Sequence, residues 1–173
     1  IVGRDVTENL RMQQVLIQLN NEREVEANIG RIVSSPLEVS HVFEQFHEEF
    51  AKIISFDRLS IYGIDPVTKN FTTDFIYLAD DQPKNLKNGF PYRGTVSGAS
   101  IDAGKCVVFS SNGPKWSTYG FERLLPVVEA VQTEFMGMPL TSQNKIVGSL
   151  GLSRAEKKFT EDDQNWATRI GNL

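Results

Sequence analysis

Residues 135–163 read "FMGMPLTSQNKIVGSLGLSRAEKKFTEDD". Two largely apolar runs, "EFMGMPL" at 134–140 and "KIVGSLGL" at 145–152, flank the polar tetrad "TSQN". Apolar runs of this length bounded by turn residues read as strands, and the short polar link makes them a hairpin. Gly148 and Gly151 fall inside the second strand, which weakens it locally and admits a close backbone neighbour. Thr160 and Asp163 then bracket a helix start. The threonine hydroxyl accepts from the backbone three residues on, and the aspartate returns the bond, a variant of the capping box. The helical pattern continues through "WATRIGNL".

Working back from this hairpin, "RLSIYGI" at 58–64 and "FTTDFIYLA" at 71–79 are rich in β-branched and aromatic residues. The link "DPVTKN" carries Pro, Asp and Asn, so a second hairpin is expected. Residues 80–95 form a long polar loop with Pro83, Gly89 and Pro91. Such loops tend to be functional, and Asp80 to Arg93 is expected to be mobile. A short helix "SGASIDAG" leads into a strand "KCVVFSS", and a second loop, "NGPKWSTYG", follows. "FERLLPVVEAVQ" looks helical, with a break at Pro126. On the amino-terminal side, Ser35, Pro36 and Glu38 suggest a helix start, and Val39, Val42, Phe43, Phe46, Phe50, Ile53 and Ile54 recur at helical spacing. Hairpins at both ends of the sheet indicate antiparallel pairing, with helices on the faces, 39–54 and 161–173 among them. The expected class is α/β of the α+β kind, with five to six strands.

The chain has 173 residues and a formal net charge of -4. That length suits one domain plus an extra element. The charge argues against sequence-independent nucleic-acid binding, which needs clustered Lys and Arg. No apolar run is long enough to span a bilayer. With one cysteine, Cys106, no internal disulfide can form.

Residues 6–33 read as one helix whose start Asp5 or Thr7 can cap. Met12, Val15, Leu19, Ile29 and Val33 follow alternating three- and four-residue steps, with Glu22 and Glu26 at the positions between. This is a heptad seam with a polar middle, and a parallel homodimer through it is expected. A helix folded back on its own domain is the competing reading. The chain opens on "IVGRDVTENL" and closes in a helical pattern. It is therefore expected to be a piece of a longer protein, entered and left through helices.

Several segments, in this order, resemble GAF domains: "SFDRLSIYGIDP" the first strand, "GKCVVFSS" the middle strand, and 135–163 the closing hairpin and last helix. The resemblance implies a profilin-like central antiparallel sheet over residues 34–173, with Pro139 ending its strand. The opening "IVGRDVTE" resembles the closing strand of a PAS domain, with Asp5 and Thr7 in its step to a signalling helix. Residues 1–33 would then be the end of an upstream PAS-like domain and a connecting helix.

What the GAF resemblance implies about function is a cytosolic sensory domain. It would bind an unidentified small molecule and relay the signal through its terminal helices to an output domain, a histidine kinase or a diguanylate cyclase. The alternatives are a dimerisation and relay module with a filled pocket, or a small redox enzyme of the GAF reductase kind. The implied ligand lining is Phe75, Tyr77, Tyr92, Val108, Trp116, Phe121, Leu124 and Met136, residues that equally suit a closed core.

No catalytic motif is present, and the fragment is expected not to be an enzyme. His41 and His47 are six residues apart on one helix, off a shared face, so that helix alone cannot chelate a metal with them. Cys106 heads an apolar strand with no histidine beside it and reads as a small buried hydrophobe. Neither haem nor bilin is expected, and the domain should be colourless. Phosphodiesterase GAF domains carry Asn-Lys, then Phe, then Asp-Glu at positions matching Ser153, Arg154, Phe159, Asp163 and Gln164. Phe159 and Asp163 agree and Arg154 keeps the charge, whereas Ser153 and Gln164 depart. Cyclic nucleotide is therefore not supported, and an Arg154–Asp163 bridge is expected as a structural tie.

Overall fold

In a computed structural model, residues 2–33, 39–65, 67–78, 90–111, 133–155 and 157–172 are described. The chain divides into two units, residues 1–53 and 54–173.

The first unit is a pair of helices, α1 (Val2–Val33) and α2 (Val39–Phe50), packed on each other. The helix α1 begins at Val2, ahead of the expected caps, so Asp5 and Thr7 lie inside it and the PAS-like octamer is helical from Val2 on. Val25 and Ile29, one turn apart, are buried, as are Phe46 and Phe50, whose rings stack at 5.4 Å. The Asn28 amide donates to the Glu49 carboxylate at 3.2 Å and ties the two helices. The helix α2 stops at Phe50 rather than running to residue 54. Lys52 and Ile53 donate to the carbonyls of Glu49 and Phe50, three residues back, and this tightening closes the helix. The expected start at Ser35, Pro36 and Glu38 lies outside the described residues.

Among the described residues the second unit holds six antiparallel strands: β1 (Arg58–Ile64), β2 (Asn70–Leu78), β3 (Phe90–Pro91), β4 (Val107–Ser110), β5 (Thr133–Ser142) and β6 (Lys145–Ala155). Their spatial order is β3-β2-β1-β6-β5-β4. At the β5–β6 turn, Gln143 and Asn144 both take positive φ, 49° and 61°. That is the two-residue turn whose twist matches a hairpin. In the β1–β2 turn the Asp65 carboxylate accepts from the backbone of Val67 and Thr68, and Lys69 takes the left-handed conformation. Pro139 does not end β5, which continues to Ser142. The strand β4 pairs only as far as Gly137, so Pro139 sits where β5 has become an edge on that side and an absent donor is tolerated.

Two helices cover opposite faces: α3 (Val96–Ala103) lies on β5 and β6, and α4 (Glu161–Gly171) packs on β5. Thr95 caps α3 by accepting from the Gly98 amide, and Gly104 ends it at φ 62°. The sheet face on the α4 side carries Leu59, Ile61, Met136, Met138, Leu150 and Leu152, all buried. The helix buries Trp166, Ala167, Ile170 and Gly171. Directly beneath α3 the sheet is lined by small residues. A Cβ at Gly137 would stand 2.6 Å from the Val96 carbonyl, and one at Gly151 would stand 2.8 Å from the Ser97 hydroxyl. The expected helix over 121–132 and residues 80–89 of the long loop lie outside the described residues. The end of that loop is held, with Phe90–Pro91 paired to Asn70–Phe71.

Candidate functional site

Strand parity sorts the candidate residues. Side chains alternate along a strand, and directly paired residues share a face. Gly137, Gly151 and Ser149 face α3, as do their β1 partners Ser60 and Tyr62. Met136 pairs with Leu152 and Val108, and Met138 meets Gly171 of α4, so Met136 and Val108 lie on the α4 face.

Tyr92 is on the other side. Its ring meets Phe71 edge-on at 5.9 Å, and Phe71 stacks on Tyr62 at 4.9 Å. The Tyr92 hydroxyl donates to Asp102 at 3.2 Å. Of the eight residues expected to line one pocket, Tyr92 is therefore separated by the sheet from Val108 and Met136. The backbones of Phe75 and Tyr77 pair with Ile61 and Leu59, residues of the α4 face. Trp116, Phe121 and Leu124 lie outside the described residues.

The Arg154–Asp163 tie is present. Arg154, in β6, is 4% exposed, and its guanidinium reaches the Asp163 carboxylate at 2.7 Å. It also donates to the carbonyls of Lys157, Lys158 and Ser55 and to the Ser55 hydroxyl, and lies 4.1 Å over the Phe159 ring. Asp163 accepts from the Thr160 amide at 2.8 Å while the Thr160 hydroxyl accepts from the Asp163 amide, which completes the expected capping box. Partial burial alone would raise the Asp163 carboxyl. The Thr160 donor and the Arg154 charge outweigh it and hold the carboxyl below its ordinary value. Beside Arg154 across the strand pair, buried Glu134 has one carboxylate oxygen without a hydrogen bond among the described residues.

Cys106 is half-buried, and burial pushes its thiol up to about 11. Burial lowers the His47 imidazole, and the charge of Glu48 offsets this in part. Among the described residues no cluster of His, Cys, Asp or Glu is arranged to hold a metal, and no helix is long and apolar enough to cross a membrane.

A further row was not singled out from the sequence. Phe109, Phe135, Ser153 and Arg58 are paired in succession across β4, β5, β6 and β1, on the α3 face. All four are half-buried. The signal was available in the alternation of "RLSIYGI", which sets Arg58, Ser60 and Tyr62 opposite Leu59 and Ile61. Only the strand register joins Arg58 to the two phenylalanines.

On the seam of α1, Met12, Val15 and Leu19 are exposed, at 65%, 55% and 46%. Leu10, Leu16 and Ile17 are exposed beside them. Ile29 is fully buried within the chain, so it is not available to a second copy, which corrects its place in the expected dimer seam. The Val33 side chain lies outside what is described.

The model of the GAF domain family matches residues 38–173. No curated protein matches the chain in sequence. Among solved structures, the chain is similar to the GAF domain of a two-component sensor histidine kinase from Bacillus halodurans, at 14% identity over 78% of this chain and 88% of that one, with a TM-score of 0.60. It is similar to the phycocyanobilin-bound GAF domain of a cyanobacterial phytochrome, at 15% identity over 87% and 91%, TM-score 0.65. It is also similar to the free methionine-R-sulfoxide reductase of Neisseria meningitidis, solved with its substrate, at 17% identity over 87% and 83%, TM-score 0.59. At these identities the structural likeness speaks for the fold, and the family match, which spans most of the chain, carries the assignment: this chain belongs to the GAF domain family.

Proposed function

We propose that this GAF domain is a sensory module of a cytosolic signal-transduction protein, which binds a small molecule and passes the signal through its terminal helices to a histidine kinase. The observation that carries this reading is the Arg154–Asp163 tie. It joins a central strand, β6, to the capping box of the last helix. A ligand that favours one arrangement of the sheet would then bias α4 as a population shift. The exposed apolar residues of α1 supply the second half of the relay, as a parallel homodimer helix continuing from a PAS-like domain. The fragment itself is read as non-enzymatic and free of haem, bilin and cyclic nucleotide. A lone cysteine whose thiol is raised to about 11 is a poor redox nucleophile, which weighs against the reductase alternative.

The Tyr62–Phe71–Tyr92 cluster favours a second reading, because these rings already fill part of the α3 face. On that reading the domain is a dimerisation and relay module without a ligand. Hydrogen exchange separates the two. A compound from a thermal-shift screen that stabilises the domain should also change protection in α1 and α4. Stabilising compounds that leave both helices unchanged would defeat the relay, and a screen without any stabilising compound favours the ligand-free module.

A further inference from the structure

We infer that the cross-strand row Phe109–Phe135–Ser153–Arg58 is the floor of a binding site for a small organic anion with a flat apolar body, such as an aromatic carboxylate. The inference rests on the reading of this domain as a small-molecule sensor and names the ligand class.

The row spans three strand spacings, about 14 Å. It lies one step beyond the positions that α3 covers, because Gly137 and Gly151, under Val96 and Ser97, are the next residues on that face. The helix sits too close to the sheet there to admit a ligand. The row beside it is half-buried and carries larger side chains.

Its polar side chains have no protein partner among the described residues. Among the described residues no hydrogen bond or ion pair reaches the guanidinium of Arg58 or the hydroxyl of Ser153, which are direct neighbours across β1 and β6. A guanidinium with no protein partner at the edge of an apolar row is free to take an anion. Its planar fork matches a carboxylate in bidentate fashion, and the serine adds a donor beside it. Phe135 and Phe109 continue the row and supply the apolar surface for a ring. The charge of the surroundings agrees. The helix α3 starts above Gly137 and Gly151 and runs to Ser100 above Ser149, so its positive amino-terminal end is the one nearer the row. Glu134, beside Phe135 in sequence, belongs to the opposite face, and the Asp57 carboxylate accepts from the Ala155 backbone.

The test uses the 173-residue chain with benzoate, its neutral isostere benzamide, and acetate, followed through backbone amide shifts. Benzoate should bind with a dissociation constant in the millimolar range or tighter and shift the amides of Arg58, Phe109, Phe135 and Ser153. Benzamide and acetate should each bind at least about tenfold more weakly. Arg58→Gln should abolish the preference for benzoate over benzamide, and Phe135→Ala should abolish the preference for benzoate over acetate. Equal binding of benzoate and benzamide by the unaltered protein overturns the anion site and leaves the small-molecule reading intact. So does an unchanged preference in Arg58→Gln. Should Arg58→Gln fail to fold, the comparison of probes on the unaltered chain decides alone. Silence from all three probes up to about 20 mM, weaker than any useful affinity, overturns this site, whereas the sensory reading falls only on the exchange experiment above.

Discussion

Arg154 illustrates how one side chain can hold a junction together. It is buried, and five acceptors surround its guanidinium: three carbonyls, one hydroxyl and the Asp163 carboxylate. The carbonyls solvate the ion, and the Asp163 carboxylate pairs with it directly. Asp163→Asn should therefore cost about 2–4 kcal/mol in denaturant unfolding, from a buried charge that loses its ion-pair partner and a weakened helix cap. The acid dependence has a definite sign. The carboxyl is held below its ordinary 3.8, so its contribution is present above that pH and is lost as pH falls through the folded-state value. Asp163→Asn should flatten this part of the pH–stability profile, and a variant with the wild-type slope below about pH 4 would show that the tie is not responsible. Cys106 carries a second prediction at this scale. With its thiol at about 11 against an ordinary 9.0, its thiolate is scarcer at neutral pH by about a hundredfold. Alkylation by iodoacetamide should be slower than that of a free thiol by about that factor, and a rate like that of free cysteine would revive the redox reading.

Among the elements, α3 is the one whose position depends most on what is missing from its neighbours. Its own sequence, "VSGASIDA", offers little apolar surface. Close approach takes the place of bulk, with Ser100 and Ser149 sharing a hydrogen bond at 3.2 Å and Val96 resting over Gly137. Gly137→Ala would force β5 and α3 apart, at a cost of about 1–3 kcal/mol from overpacking. Thermal unfolding measures it, and a stability unchanged or raised would show that α3 is free to move. The strand hairpins depend on turn chemistry instead. Gln143 and Asn144 accept the left-handed conformation that "TSQN" foreshadows, and Asp65 organises the other turn through its carboxylate.

At the scale of the whole molecule, the open question is assembly. The apolar side chains of Leu10, Met12, Val15, Leu16, Ile17 and Leu19 are 46–65% exposed in a stretch whose one charge is Arg11. Each is worth roughly 1.5–3 kcal/mol if fully buried, enough together to offset the loss of freedom on association. The dimer proposed through α1 rests on the amino-terminal part of the seam, since Ile29 already belongs to the interior of its own chain. Light scattering near 100 μM, roughly where a weak helix pair still forms, should find a dimer. Leu19→Glu should dissociate it while the circular dichroism of the sheet domain stays unchanged. A monomer in the unaltered protein would defeat the proposal.

The local elements were legible in the sequence because they rest on short-range chemistry. The 134–152 hairpin and the Thr160–Asp163 capping box follow from turn residues and spacing within a few positions. The Arg154–Asp163 bridge followed from the family pattern. Helix boundaries were less legible. Asp5 and Thr7 do not stop α1, because a residue that can cap a helix can also sit inside one, and α2 closes early through its last turn. The make-up of the candidate site belonged to the tertiary structure. A list of apolar residues cannot say which face each occupies, and Met136 and Val108 fall on the side of the sheet away from Tyr92. The row of Arg58, Ser153, Phe135 and Phe109 is spread over positions 58 to 153 and exists only once four strands pair in one register. Side-chain facing has period two, and a slip of one residue would reverse it, so the faces are decided by pairing between distant strands.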